Sequence, residues 1–171
     1  FQLTSGLHSG GYLQCAQVLQ HPEHAAALGQ ALATQAVHLE PSVVLSPALG
    51  GVIIGYEVAR ALGVRALFAE RRDGRLTLRR GFRLDPGERV LVVEDVVTTG
   101  GSTRETIDVA KAAGGTVVGA AAIIDRGEEP VRFDVPFDAL VQIPLPAYES
   151  AGCPMCGRGE PVSKPGSRPA G

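Results

Sequence analysis

Two neighbouring acidic residues, Glu94 and Asp95, directly follow an apolar run over residues 90–93. A loop of threonine, glycine and serine comes next, at residues 98–102. Loops of this kind bind anions, because glycines let backbone N–H groups approach a phosphate and the following helix adds favourable partial charge. Carboxylates repel phosphates, so this pair fits if it faces sugar hydroxyls or a Mg²⁺ carried by the ligand. Sugar and phosphate together describe a phosphoribosyl group.

Two other phosphate motifs are excluded for residues 90–102. The segment has neither the Gly-Lys-Ser/Thr ending of a P-loop nor the Gly-x-Gly-x-x-Gly spacing of a dinucleotide-binding fingerprint. A glycine-rich turn that merely ends a core strand is the remaining alternative. A short arginine-rich stretch is either a second anion-binding surface or a solvated hairpin. Its members are Arg71, Arg72, Arg75, Arg79, Arg80 and Arg83.

Alternating strands and helices must position these residues. The hydrophobic pattern predicts strands over residues 43–46, 65–69, 90–93 and 116–124, and helices over residues 24–39, 52–62 and 102–113. Ser102 and Glu105 form a candidate capping box for the last of these helices. The arginine-rich segment that follows residue 69 and runs through residues 77–82 is expected to form an exposed hairpin or mobile loop. The proline and glycine after residue 144 predict a tail or extended arm. This order predicts an α/β fold with a mostly parallel sheet.

Residues 90–102 resemble the signature of the type I phosphoribosyltransferases, in which a hydrophobic strand, two acidic residues and a Thr/Gly-rich loop bind phosphoribosyl pyrophosphate (PRPP). The resemblance implies that Glu94 and Asp95 hold the ribose hydroxyls. It assigns the 5-phosphate to Val96, Val97, Thr98, Thr99, Gly100, Gly101 and Ser102. It also implies the type I phosphoribosyltransferase fold in one domain: a central, mostly parallel sheet flanked by helices, with a small hood from residues 1–20 and 144–171.

Both ends of the chain resemble the orotate phosphoribosyltransferases within that family. Residues 1–15 match an N-terminal signature, Phe-x-Leu-x-Ser-Gly-x-x-Ser, and residues 153–168 match the ending of a bacterial branch. The residues that the resemblance assigns to orotate are Tyr12, Leu13, Thr98 and Arg126. The first two contact orotate through the backbone, and Arg126 faces its carboxylate, where a planar guanidinium suits bidentate pairing. Without the other motifs, Arg126 could also be a surface arginine at the end of a strand.

The resemblance implies transfer of the phosphoribosyl group of PRPP to orotate, giving orotidine 5′-monophosphate and pyrophosphate in de novo UMP synthesis. The residues expected to bind the pyrophosphate side are Leu49, Gly50, Arg71 and Arg72. The two arginines align with the first basic pair of a mobile catalytic loop, and the expected catalytic residues are Arg71, Arg72 and Asp95. Mg²⁺ is expected to bind through PRPP. Because the family's loop reaches into a neighbouring subunit, a homodimer is expected.

The chain departs from the family pattern in the residues around the phosphates. Many members have lysine where this chain has Thr4, and another lysine where it has Gly50. The mobile loop, usually rich in lysine and containing a histidine, is shortened here. Arg75, Arg79 or Arg80 are the candidates to replace those groups.

Composition and charge argue against several other classes of protein. The chain has 171 residues, 44% hydrophobic and 20% charged, which is typical of one soluble globular domain. A formal charge of −2 gives no reason to expect nucleic acid or an anionic membrane as a partner. No apolar stretch approaches the ~20 residues that span a bilayer, and no signal segment is visible. Because the sequence starts at Phe1, we expect a short N-terminal piece to be missing.

The three cysteines are too few for a disulfide scaffold, so we expect a reducing, cytoplasmic environment. Cys153 and Cys156 have a spacing that is common in zinc sites, but structural zinc needs four ligands. Cys15 and a histidine could complete the set if the fold brings them together. Otherwise we expect no metal held by protein side chains.

Two other functions remain open from the sequence. One is transfer to a purine base, against which the N-terminal signature and Arg126 argue, since purines carry no carboxylate. The other is a PRPP-sensing regulatory protein of the same fold, which usually adds a DNA-binding element or a basic face. Neither addition is visible in this sequence. Turnover of a base would distinguish an enzyme from a sensor.

Overall fold

Eight strands and five helices make up the part of the chain that the structure, a computed structural model, describes: residues 1–3 and 5–165. The strands are β1 (His8–Ser9), β2 (Val43–Pro47), β3 (Arg65–Arg72), β4 (Arg75–Leu78), β5 (Arg89–Val97), β6 (Thr116–Asp125), β7 (Phe137–Gln142) and β8 (Ala147–Tyr148). The helices are α1 (Ala16–Leu19), α2 (Pro22–Ala36), α3 (Gly50–Leu62), α4 (Gly101–Ala112) and α5 (Pro154–Gly157). Within these residues, no helix is long and apolar enough to cross a bilayer.

The main sheet has the order β4-β3-β2-β5-β6-β7, and β4 is its one antiparallel strand. From β2 the chain crosses through α3 to β3 on one side, whereas from β5 it crosses through α4 to β6 on the other side. These crossovers leave in opposite directions, so a crevice opens between the carboxyl ends of β2 and β5. Open α/β sheets bind their ligands at such a switch point. The predicted α/β fold with a mostly parallel sheet is confirmed.

Helices cover both faces of the sheet, which explains why residues 90–93 are apolar without alternation. Leu91 and Val93 pack into the cluster that contains α2 and α3, whereas Val90 and Val92 pack into the cluster that contains α4. All four side chains are fully buried. Each such burial contributes roughly 1.5–3 kcal/mol, so the strand that carries the acid pair is firmly held.

A tight hairpin joins β3 to β4 where an exposed hairpin or mobile loop was expected. Arg72 pairs with Arg75, which leaves a two-residue turn at Asp73 and Gly74 with φ angles of 49° and 82°. Two positive φ angles define the turn type that matches the twist of a β-hairpin, and Asp-Gly is a preferred sequence for it. The hairpin alternative is therefore the observed one.

Two details near the phosphate loop differ from the sequence prediction. β5 continues through Glu94 and Asp95 to Val97, so the acid pair lies inside the strand. The predicted capping box is wrong: α4 begins at Gly101 after Gly100, and no side chain caps it. Glu105 instead bonds the β3–β4 hairpin, because Arg71 offers its carboxylate two N–H donors.

The two ends of the chain pack together beside the sheet. β1 and β8 form a two-stranded antiparallel sheet in which His8 pairs with Tyr148. The Gln2 N–H also donates to Ser163 O at 2.8 Å. We call this unit the terminal sheet. It brings the N-terminal signature, and the residues that follow it, next to the carboxyl end of β6.

Candidate active site

The acid pair and the loop after β2 meet at the switch point. Asp95 is half-buried, and a Cβ atom added at Gly50 would stand 2.7 Å from its Oδ1 atom. A Cβ at Gly51 would stand 3.0 Å from Val93 O. Gly50 stands where many family members have lysine. Because it has no side chain, the Asp95 carboxylate can lie close to the loop backbone.

Glu94 is buried, 6% exposed, beside the Asp95 carboxylate. Burial raises the pKa of Glu94 well above its usual range, and the charge of Asp95 raises it further. Within residues 1–3 and 5–165, no cationic side chain forms an ion pair with either carboxylate. Two carboxylates without a cation suit ligand hydroxyls or a ligand-bound Mg²⁺, because both satisfy carboxylate oxygens.

One arginine of α4, Arg104, stabilises the phosphate loop through a hydrogen bond to its backbone. Arg104 Nη1 donates to Thr99 O at 2.6 Å, and Nη2 donates to Arg132 O at 2.8 Å. Its guanidinium also lies over the Phe133 ring, 4.9 Å from the centroid. Gly100 turns the chain into α4 with φ 75°, and a Cβ there would stand 2.8 Å from the same ring. These contacts set the loop conformation before any ligand binds.

The start of α4 presents backbone donors to the crevice. The Arg104 N–H donates to Gly100 O, so it is the first donor of the helix with an acceptor inside it. The N–H groups at residues 101–103 come earlier in the first turn and have no partner within the helix. Together with the helix dipole they form an anion-binding end. The residues expected to bind the 5-phosphate stand at this end.

Arg126 lies beside the phosphate loop, because its N–H donates to Val97 O at 2.9 Å. The residue is buried, 3% exposed, so it is not the surface arginine that the strand end alone would suggest. Nη2 donates to Ser9 Oγ at 3.0 Å and to Gly11 O at 3.4 Å, while the buried Nε has no acceptor among the described residues. Burial lowers the pKa of Arg126, and Tyr12 partly opposes this. An anionic ligand would offset the cost of a buried cation without a carboxylate partner.

The other residues expected to bind orotate, and Leu49 of the expected pyrophosphate loop, come from separate parts of the chain. Tyr12 lies close enough to Arg126 to affect its pKa. Leu13 packs against the core beside α2 and α3. Thr98 is half-buried directly after β5, and Leu49 is exposed in the loop before α3. The structure therefore places Thr98 and Leu49 after the carboxyl ends of β5 and β2. It places Tyr12 near Arg126, whereas Leu13 contributes to the core packing.

Arg71, in contrast, is engaged in an ion pair with Glu105 of α4. Its Nη2 donates to Glu105 Oε2 at 2.7 Å, and its Nη1 donates to Glu105 Oε1 at 3.2 Å and to the Gly74 carbonyl. The Leu76 N–H donates to the same carboxylate at 2.6 Å. Arg72 is exposed and pairs with the neighbouring Asp73 at 3.5 Å. Arg71 can contact a ligand only after its ion pair opens, whereas Arg72 already faces solvent.

Four residues that support the site have no site role in the sequence prediction. They are Ser9, Arg104, Glu105 and Asp125. The buried Asp125 accepts the N–H groups of Gly127 at 2.9 Å and of Val131 at 3.3 Å, which shapes the loop after Arg126. A strand-end aspartate two residues before a glycine is turn chemistry and could have indicated this role. The partners of the other three become visible only in the fold.

The three cysteines occupy two separate places. Cys15 is buried in the core cluster, where burial and the charge of Asp95 raise its pKa to about 12. The suggestion that Cys15 completes a metal site is therefore wrong. Cys153 and Cys156 lie in the terminal sheet region with His8. Thr4 and the last residues of the C-terminal resemblance, 166–168, lie outside the described residues.

The fold and site together define a class of protein. A buried strand delivers two carboxylates to the switch point of a parallel sheet, and a glycine-rich loop opens the next helix beside them. Residues 14–144 match the family model described as the phosphoribosyl transferase domain. This is the fold and the site of a phosphoribosyltransferase.

Relatives narrow the family. The chain is 54% identical to the orotate phosphoribosyltransferase of Pelotomaculum thermopropionicum, over 98% of this chain and 88% of that protein. It is 49% identical to that of Thermotoga maritima, over 98% and 90%. A solved structure of the Mycobacterium tuberculosis orotate phosphoribosyltransferase in complex with PRPP has a TM-score of 0.66 and 25% identity, covering 84% of this chain and 86% of that chain. The chain belongs to the orotate phosphoribosyltransferase family, as its sequence motifs predicted.

Proposed function

We propose that this chain transfers the phosphoribosyl group of PRPP to N1 of orotate, releasing pyrophosphate and giving orotidine 5′-monophosphate. One observation carries the choice of base: the buried guanidinium of Arg126 has no carboxylate partner among the described residues and lies beside the phosphate loop. A carboxylate on the base supplies that partner as a bidentate pair. Adenine, hypoxanthine and uracil carry no such group.

PRPP is proposed to lie along the switch point. Its 5-phosphate would accept hydrogen bonds from the N–H groups at the start of α4 and from the hydroxyls of Thr98, Thr99 and Ser102. Glu94 and Asp95 would accept hydrogen bonds from the ribose hydroxyls. The pyrophosphate would lie against the backbone of Leu49 and Gly50, because this loop contacts Asp95 directly.

Mg²⁺ is proposed as the cofactor, carried by PRPP. The two carboxylates fit it, since Mg²⁺ takes oxygen ligands and is commonly held by one or two carboxylates plus substrate phosphates. When bound, the ion would neutralise the charge that develops on the departing pyrophosphate. Asp95 is the better placed protein ligand, because it is half-buried and borders the loop at Gly50.

The reaction breaks the bond between C1 of the ribose and pyrophosphate, forms the bond from C1 to N1 of orotate, and releases the N1 proton. The transition state resembles an oxocarbenium ion, so the protein contributes positioning and electrostatic stabilisation rather than a nucleophile. Arg72 is proposed to stabilise the charge on pyrophosphate from the hairpin. Arg71 would join it once its ion pair with Glu105 opens, and closure would exclude water from PRPP.

A homodimer in the cytoplasm is the proposed working form. Three exposed apolar side chains, Leu49, Ile53 and Tyr56, follow one another at helical spacing from the pyrophosphate loop along α3. Such a stripe on a surface otherwise rich in charge favours contact with a second subunit. It would place the partner beside the crevice.

The test follows orotate by its ultraviolet absorbance with the protein, PRPP and Mg²⁺, with adenine, hypoxanthine and uracil in parallel. We expect loss of the orotate signal that requires both PRPP and Mg²⁺. An Arg126→Ala variant should raise KM for orotate about a hundredfold, with a smaller effect on KM for PRPP. The exposed Arg132→Ala is the matched control.

Each other outcome is informative. Turnover of another base would retain the phosphate site and refute the assignment to orotate. Binding of PRPP without turnover of any base would indicate a sensor. Equal losses in the two arginine variants would remove Arg126 from the base site.

A further inference from the structure

Three metal-binding side chains meet in the terminal sheet region, away from the crevice. They are His8, Cys153 and Cys156. One ligand atom from each lies within 4.8 Å of the other two, and His8 Nδ1 is 3.2 Å from Cys156 Sγ. Ligands of one tetrahedral zinc ion stand about 3.5–4 Å apart, given Zn–S and Zn–N bonds of roughly 2.3 and 2.0 Å. The cluster is already near that spacing.

Local structure explains why these residues converge. Cys153 precedes α5, and the Gly157 N–H donates to its carbonyl at 3.0 Å, so the chain turns within this short helix. The turn places both thiols on one side. His8 comes from β1, which pairs with β8 just before this turn. The imidazole and the Cys156 thiol are 148 positions apart in the chain.

We propose that His8, Cys153 and Cys156 bind one Zn²⁺ ion that links the N-terminal and C-terminal segments of the chain. Two thiolates and an imidazole are the donor set that zinc prefers. The described residues supply three protein ligands, so a water molecule fills the fourth position. A cavity of about 340 Å³ beside the cluster, lined also by Gly10, Met155 and Glu160, gives solvent access to it.

A disulfide between the two cysteines is the alternative chemistry. It would form one S–S bond, release two thiol protons, pass two electrons to an external oxidant such as O₂, and take the Cys156 thiol away from His8. The structure has both cysteines as free thiols, with the imidazole against Cys156. Because His8 is buried and its ring nitrogen approaches a sulfur, the arrangement favours a shared metal ion over a bond between the sulfurs alone.

The bound ion is also expected to affect the orotate site, an inference that rests on the proposed function. Ser9 follows His8 directly, and its Oγ accepts a hydrogen bond from Arg126 while donating to Pro146 O at 2.7 Å. An ion that fixes His8 therefore fixes the support of Arg126. Removing the ion should raise KM for orotate several-fold and leave KM for PRPP nearly unchanged.

The first experiment measures metal in the full chain, purified under reducing conditions from zinc-supplemented cells, by elemental mass spectrometry. We expect about one zinc ion per chain, falling at least fivefold in Cys153→Ser, Cys156→Ser and His8→Ala. Cys15→Ser and the exposed His24→Gln are the matched controls and should retain the ion. Co²⁺ added to the metal-free protein should give a thiolate-to-cobalt charge-transfer band and the visible bands of tetrahedral coordination.

These measurements can overturn the proposal whatever the activity assay gives. Absence of zinc, with no cobalt spectrum after reconstitution of the reduced protein, would refute the site. So would zinc that persists in all three variants, or a Cys153–Cys156 disulfide found by peptide mass spectrometry under the same reducing conditions. If the variants fail to fold, the cobalt spectrum of the wild-type protein and its loss on thiol alkylation decide the question. An inactive protein that binds zinc would refute the proposed function and leave the metal site standing.

Discussion

Single residues in the crevice make the ligand-free protein less stable than it could be. Glu94 is a buried carboxyl group next to a second carboxyl group. Arg126 is a buried guanidinium that has no carboxylate partner in the part of the chain that the structure describes. Each raises the free energy of the folded state, since burying an uncompensated charge is costly. Ligand hydroxyls and a ligand carboxylate would satisfy both. The same side chains should therefore affect stability and activity in opposite directions.

Glu94→Gln tests this opposition. The pKa of Glu94 is raised in the folded state, so between its usual range and the raised value the folded protein binds more protons than the unfolded chain. The free energy of unfolding of the wild type should therefore fall as pH rises through that window, and this fall should be absent in the variant. At neutral pH we expect the variant to be more stable by roughly 1–3 kcal/mol. KM for PRPP should rise about tenfold.

Urea denaturation across the weakly acidic to weakly alkaline range measures the stability, and initial rates measure KM. The exposed Glu128→Gln variant is the control for a lost charge. Parallel pH curves for the wild type and Glu94→Gln would contradict the assignment of the fall to Glu94.

Ser9→Ala tests the support of Arg126. Ser9 is fully buried, and its hydroxyl bonds both Arg126 Nη2 and Pro146 O. Without it the guanidinium keeps, among residues 1–3 and 5–165, only the long contact to Gly11 O, so its orientation is less well fixed. We expect KM for orotate to rise about tenfold with little change in KM for PRPP. The exposed Ser150→Ala is the control, and equal rises in both KM values would indicate a general loss of structure instead.

Among the elements, the β3–β4 hairpin and α4 are coupled through one carboxylate. Glu105 accepts both Arg71 N–H groups and the Leu76 N–H, and it lies one turn after the phosphate loop. The hairpin is thus bonded to the same helix whose start faces the crevice. Movement of Arg71 toward a ligand would require this contact to break.

Glu105→Gln weakens that coupling. We expect a stability loss of about 1–2 kcal/mol, because charge-assisted hydrogen bonds are replaced by neutral ones. We also expect faster amide hydrogen exchange at Leu76. Glu70→Gln, which removes the exposed pair with Arg80 on the same hairpin, is the matched control and should leave exchange at Leu76 unchanged. Unaltered exchange in Glu105→Gln would show that the hairpin is held by its β pairing alone.

The strands could be predicted from the sequence, whereas contacts between distant residues could not. Residues 90–93 and 116–124 could be predicted as strands because a run buried on both faces is uniformly apolar. The position of the acid pair followed from the parallel fold. Glu105 was misread because local spacing suggested a cap, while Arg71, 34 positions away, was the stronger partner. The β1–β8 pairing joins residues at opposite ends of the chain, and no local pattern encodes it.

At the scale of the whole molecule, the start of α3 carries an exposed apolar surface next to the pyrophosphate loop. The apolar stripe of Leu49, Ile53 and Tyr56 forms this surface, with side chains 76%, 45% and 59% exposed. Arg71 and Arg72 end β3, two strands away from β5 in the sheet. In the proposed homodimer, the stripe is the surface expected to contact the second subunit.

Ile53→Asp tests whether the stripe forms the subunit contact. A carboxylate buried in an apolar interface is costly. If the wild type forms the proposed dimer, the variant should be a monomer by light scattering at the same concentration. Val37→Asp places the same charge on another exposed apolar residue, 58% exposed at the end of α2, and should remain dimeric. If hairpin arginines act across the interface, turnover of Ile53→Asp should fall about tenfold or more and recover as rising protein concentration restores the dimer. A monomeric wild type, or a monomeric variant with full turnover, would place the complete site within one chain and leave Arg71 and Arg72 to act on their own crevice.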